Sequence, residues 1–223
     1  MAYTLLRTEH PAYIYRLAHR SLASLHDVVA EARPAVQLVF MLRAAACAGL
    51  LRHPSPKSLI GVSGWLLLAV AAYAFNGVTD VTTDTANGSS RPIASGRLRV
   101  DVARCWCLAL VATGLVMCEL ASRAEVVAGF AALALGWAYS TGPALKESPV
   151  AAAFVIGTSA GLSYFAGAAA AGTVTTRTLC VPMSIALWVA LCCAAKDFSD
   201  VDGDRLAGRR TWPVLLGHRA AAR

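Results

Sequence analysis

Residues 76–97 read NGVTDVTTDTANGSSRPIASGR and begin where an apolar run ends. Asn76, Asp80 and Asp84 recur every four residues. On a helix they would fall along one face, each step about 40° past a full turn. Arg91 and Arg97 follow in a turn-rich loop. Far along the chain, KDFSDVDGDRLAGRRT (196–211) repeats the device, with Asp197, Asp200 and Asp204 at spacings of three and four. Each cluster closes an apolar segment and leads into a basic loop with a glycine, SGR or AGRR. One such aspartate pair is ordinarily a solvated helix face. Two of them, both at the ends of apolar segments, point to half-sites of one shared site for metal ions and an anionic ligand at a membrane face.

The surrounding chain supports a membrane setting. Of 223 residues, 57% are hydrophobic and 15% charged, against about 25% charged in soluble domains. Apolar runs fall at about 34–51, 58–75, 102–122, 125–140, 149–172 and 178–195. Runs of this length predict an all-α, polytopic transmembrane helical bundle of about six spans. They are rich in Ala and Gly, which let membrane helices approach closely. The net charge of +7 fits basic loops on one membrane side, and the partner it implies is a lipid bilayer. No run of five Lys or Arg occurs and no nucleic-acid motif, so nucleic acid is not an expected partner. The seven cysteines form no CxxC and lie mostly in apolar runs, which reads as packing.

Residues 1–33 read as an N-terminal cytoplasmic or interfacial segment, and 34–223 as one membrane domain. Leu17, Leu22, Leu25, Val28 and Val29 have roughly helical spacing, as expected of a helix lying on the membrane. Arg7, Arg16, Arg20 and Arg33 precede the first apolar run, a pattern unlike a signal peptide. With the N-terminus inside, fifteen Lys and Arg fall on the cytoplasmic side. Arg52, Lys57, Arg123 and Arg177 fall on the other, and Arg43 within the first span. That bias predicts a cytoplasmic N-terminus, and both acidic motifs then face the cytoplasm. Arg43 contacts ligand phosphate, snorkels to the interface, or marks a span boundary different from the one drawn here.

Carboxylates four apart repel one another unless a cation lies between them. Hard oxygen donors suit Mg²⁺, which binds through one or two carboxylates plus substrate phosphates. Asn76 adds an amide oxygen or donor. The aspartates, Asp202 included, attract an anion only through bridging metal. Arg91, Arg97, Lys146 and Lys196 are placed to neutralise the remaining phosphate charge. On an allylic diphosphate this set would stabilise the leaving diphosphate. The allylic cation then needs a dry pocket with aromatic faces. Tyr73, Phe75, Trp137, Tyr139, Phe154, Tyr164 and Trp188 are either its wall or ordinary packing. A calcium loop is excluded, because D-x-[DN]-x-[DN]-G with its closing Glu is absent.

NGVTDVTTD with RPIASGR resembles the N-x-x-x-D-x-x-x-D and RPI-x-SG signature of the UbiA superfamily of intramembrane prenyltransferases. KDFSDVDGDRLAGRRT resembles its second signature, D-x-x-D-x-x-x-D-x-x-x-G-x-x-T. YSTGPALK (139–146) is similar to the segment between them, and Arg33-Pro34 fits the first span. The resemblance runs from about 33 to 217 and implies a helical fold, Mg²⁺ dependence and prenyl transfer from a prenyl diphosphate to an acceptor, often aromatic. A terpene cyclase on the same scaffold, or a non-catalytic homologue, stands as the alternative. Position by position, it implies Asn76, Asp80 and Asp84 at one Mg²⁺–diphosphate and Asp200 and Asp204 at the other. Asp197 and Lys196 would assist, Arg91 would hold diphosphate, and Tyr139 and Lys146 would cap the site. About nine spans are usual in that family, so helices equivalent to its last three are expected to be missing here.

Overall fold

The computed structural model describes residues 21–50, 53–198, 201–206, 208 and 210–221, and the regular structure among them is helical. Helix starts follow local chemistry. Proline lacks the N–H that a first turn cannot bond anyway, and it opens α2 (Pro34–Cys47), α3 (Pro56–Thr79) and α7 (Pro149–Ala170). The Ser55 hydroxyl caps α3 by accepting from the Ser58 N–H at 3.0 Å. Ser122 caps α6 (Arg123–Ser140) by accepting from the Glu125 N–H at 3.1 Å. Thr175 and Thr178 form a reciprocal capping box at α8 (Thr176–Cys192), satisfying two otherwise orphaned donors. Residues 21–31 form α1, Val81–Ala86 α4 and Val100–Ala121 α5. After α8 come a 3₁₀ turn (Cys193–Phe198), α9 (Val201–Leu206), α10 (Trp212–Leu216) and α11 (His218–Ala221).

The six apolar runs become α2, α3, α5, α6, α7 and α8, but not six full-length spans. Among the described residues α3, α5 and α7 are long and apolar enough to cross a membrane, at 24, 22 and 22 residues. At 1.5 Å per residue, the 14-residue α2 reaches about 21 Å of a hydrocarbon core about 30 Å thick. The α2 run extends in sequence to 51, but the helix gives way to a turn at Ala48. α8 stops at Cys192 and carries Pro182 inside it.

Helix α3 is the centre. It packs on α2, α5, α6 and α7, while α7 also packs on α8. Trp65, Leu68, Ala71 and Ala74 of α3 are buried. Close approach of α7 to α2 requires Gly167, where a Cβ would lie 1.9 Å from the Ala44 carbonyl oxygen. Met183, Leu187, Trp188 and Leu191 leave α8 with an exposed apolar face, which hydrocarbon accepts without a solvation cost.

The expected interfacial helix is divided differently. Residues 1–20, Leu17 among them, lie outside the described residues. Val28 of α1 and Ala32, just after it, are fully buried. They pack in one cluster with Val70, Ala74 and Val78 of α3 and with Ile93, Leu98 and Ala103. Ser24 accepts from the Trp106 indole N–H at 2.9 Å. Of the apolar positions that set the spacing, Leu22 and Val29 are exposed. The helical spacing is real, and one side of it meets a core.

Candidate active site

Asn76, Asp80 and Asp84 do not share one straight helix. α3 ends at Thr79, whose hydroxyl donates back to the Asn76 carbonyl at 2.9 Å. Such back-bonding bends helices. Asp80, at φ −93° and ψ 4°, joins α3 to α4. The hydrogen bonds nevertheless carry through the bend. The Asp80 N–H bonds the Asn76 carbonyl at 2.9 Å, and the Asp84 N–H bonds the Asp80 carbonyl at 2.8 Å. The four-residue spacing is therefore kept while the axis changes, so Asp80 lies at the inner corner and is buried.

Two side chains hold that corner from the far end of α6. The Asn76 amide donates to Asp80 Oδ2 and to the Ser140 hydroxyl, both at 3.2 Å. Lys146 Nζ bonds Asp80 Oδ1. Lysine reaches it because the chain turns sharply after Ser140. Gly142 (φ 55°) and Ala144 (φ 46°) are left-handed, and a 3₁₀ turn, Leu145–Glu147, follows. A non-glycine residue in that region costs on the order of 1 kcal/mol, which the packing around the cap loop sustains. Tyr139, half-buried, lies on the same last turn of α6. Sequence reasoning picked Tyr139 and passed over its neighbour Ser140, the residue whose hydroxyl meets Asn76.

Asp84 on α4 pairs with Arg91, Nη1 to Oδ2 at 2.7 Å. The other end of the guanidinium is held from behind. Nη2 lies 2.7 Å from Glu31 Oε1 and donates to the backbone carbonyls of Glu31 at 3.1 Å and Tyr73 at 3.5 Å. Glu31 is fully buried, and its Oε2 accepts from the Ile93 N–H at 2.9 Å. This residue was missed from sequence, where a lone glutamate two positions before Arg33-Pro34 gives no motif. Lys146 thus pairs with Asp80, while Arg91 stands between Asp84 and Glu31.

The other expected residues fall in different places. Arg97, itself half exposed, pairs with Asp27 of α1 at 2.9 Å. Arg43 lies over the Phe40 ring at 5.5 Å, and Phe40 meets Tyr73 edge-on at 5.8 Å. Arg43 is therefore tied to α3 through an aromatic pair. Phe75 and Trp137 line an apolar groove of about 190 Å³ with Ala71, Leu108, Val111 and Leu133. Phe154 and Trp188 lie on exposed faces of α7 and α8.

The second acidic motif begins in the 3₁₀ turn after α8 and continues into α9. It packs against α7, α8 and α10. Asp197 and Asp204 are buried there. Asp200 lies outside the described residues, as do the side chains of Lys196 and Asp202. Among the described residues no three Asp, Glu, His or Cys side chains converge as a metal-binding group.

An apolar helical bundle with two aspartates, each paired with a basic side chain, at the end of its central helix defines a class of intramembrane helical protein with an acidic candidate site. Residues 38–223 match the UbiA prenyltransferase family, and the chain belongs to that family. It is an integral membrane protein. Similar proteins include the digeranylgeranylglyceryl phosphate synthase of Sulfolobus acidocaldarius, 27% identical over 69% of this chain and 55% of the relative. That of Methanosarcina mazei is 31% identical over 70% and 53%. The chain spans about half the length of these relatives. Among solved structures, a UbiA homolog from Archaeoglobus fulgidus bound to DMAPP and Mg²⁺ superposes with a TM-score of 0.76 at 23% identity. The match covers 87% of this chain and 71% of that one, and it carries the fold.

Proposed function

We propose that this chain forms the diphosphate-ionising part of a Mg²⁺-dependent prenyltransferase whose acceptor is a glyceryl phosphate lipid. The carrying observation is the pairing of Asp80 with Lys146 and of Asp84 with Arg91 at one end of an apolar bundle. The donor chemistry fits a hard divalent cation. Carboxylate oxygens and an amide dominate, and protein cations already occupy Asp80 and Asp84. Asn76, Asp80 and Asp84, with Asp197, Asp200 and Asp204 of the second motif, would hold the metal, which when bound supplies charge stabilisation for a departing diphosphate.

The chain's own groups do the rest. Lys146 and Arg91, displaced from their carboxylates, bind diphosphate oxygens, Arg91 through two N–H groups. Asn76, fixed by Ser140, keeps Asp80 oriented. The allylic C–O bond breaks heterolytically and diphosphate leaves with the electron pair. An acceptor hydroxyl then bonds the allylic carbon and gives up its proton to the departed diphosphate. The apolar helices keep water from capturing the cation. On the charge bias of the loops, the site faces the cytoplasm.

The aromatic acceptor expected from the family resemblance is replaced here. The relatives are named for a product built on glyceryl phosphate, and an ether-forming hydroxyl is the acceptor that this product requires. The test is purified chain in lipid vesicles with geranylgeranyl diphosphate and Mg²⁺. It is run with geranylgeranylglyceryl phosphate, with a hydroxybenzoate, and with neither. Ether product in the first arm supports the proposal. Prenylated arene, or cyclic hydrocarbon without acceptor, overturns it.

A further inference from the structure

The family motif accounts for Asp84 and Arg91 but not for the residue behind them. Glu31 lies on α1, outside the motifs, and has no exposure to solvent. It grips the Arg91 loop twice, by the ion pair to Nη2 and by the bond from the Ile93 N–H. The space it occupies is made by Gly77, inside the first motif, where a Cβ would lie 2.0 Å from Glu31 Oε1 and 2.8 Å from Arg91 Nη2. The sequence leaves one gap between Asn76 and Asp80, and a carboxylate from another helix fills it.

We infer that Glu31 is a positioning residue that shares the charge of Arg91 and so leaves Asp84 free to take a divalent cation. A guanidinium placed between two carboxylates divides its attraction between them. Without the charge on Glu31 the whole attraction falls on Asp84, and an incoming metal ion must displace a stronger pair. Glu31 also limits the travel of Arg91. The Glu31 and Tyr73 carbonyls hold Nη2, so release from Asp84 leaves the guanidinium at the mouth of the site rather than loose. The buried Nε carries no partner among the described residues.

This inference rests on the metal-dependent reading above, and the test separates the two. Mn²⁺ binding to the detergent-purified full chain is followed by electron paramagnetic resonance, without substrate. Glu31→Gln is expected to weaken Mn²⁺ binding about tenfold, the scale of a lost outer-shell partner. In an Arg91→Gln background the same substitution should change binding by less than about twofold, because the route runs through Arg91. If Glu31→Gln is not recovered folded, Glu31→Asp, which keeps the charge on a shorter arm, should still weaken binding measurably. A lower unfolding midpoint with unchanged Mn²⁺ affinity overturns the inference and leaves Glu31 a structural residue. An equal loss in the Arg91→Gln background also overturns it. Absence of Mn²⁺ binding to the unsubstituted chain, or binding indifferent to Asp84→Asn, overturns the metal reading itself.

Discussion

Lys146 Nζ bonds Oδ1 of Asp80 across 66 positions of chain, tying the loop after α6 to the corner between α3 and α4. The pair is largely buried, with side-chain exposures of 14% and 10%. A charge-assisted bond of this kind contributes about 1.5–3 kcal/mol. Lys146→Met is therefore expected to raise KM for the prenyl diphosphate by about one to two orders of magnitude. Lys146→Arg should recover part of it. Steady-state kinetics on the vesicle-embedded protein decide the matter, and an unchanged KM would remove Lys146 from the site.

Asp80→Asn keeps the shape of the corner and the Asn76 contact but removes the charge. Turnover should fall by about three orders of magnitude, as for loss of a main electrostatic stabiliser. Helicity should hold, while the unfolding midpoint falls by the loss of the buried Lys146 pair. Asp200→Asn in the second motif should act likewise. Chelation with EDTA should abolish turnover in the unsubstituted chain, and added Mg²⁺ should restore it. Activity in EDTA would refute the metal dependence.

Two glycines separate site from scaffold. Gly167→Ala forces a Cβ onto the Ala44 carbonyl oxygen, and Gly77→Ala forces one onto Glu31. Each should destabilise by about 2 kcal/mol or more, read as a lower unfolding midpoint in detergent. Only Gly77→Ala should also weaken Mn²⁺ binding, since only there does the displaced group hold Arg91.

Ser140→Ala removes the acceptor 3.2 Å from the Asn76 amide. One lost neutral hydrogen bond costs about 1 kcal/mol. The expected outcome is a small drop in stability and a loss of kcat larger than any rise in KM. An unchanged kcat would mean that Asn76 is oriented by Asp80 alone.

Composition and apolar run length determined the helical membrane bundle, because burying backbone in hydrocarbon leaves a chain few other choices. Motif spacing pointed to the family and to the first candidate site, since Asn76 and Asp80 bond through local four-residue spacing. Sequence also predicted that Lys146 and Arg91 would serve that site, although not which carboxylate each would meet. The tertiary structure alone decided the rest. Glu31 and Ser140 have no motif of their own, and each reaches the site from a different helix. Sequence placed Arg97 at the site by its position in the loop, and the structure supplies its partner there, Asp27 of α1. The run from Leu22 to Val29 reads as an amphipathic helix, and the structure adds that Val28 faces a core that α3 and α5 supply. Periodicity records which face of a helix is apolar. It cannot record what that face meets, because that depends on where helices distant in sequence come to lie.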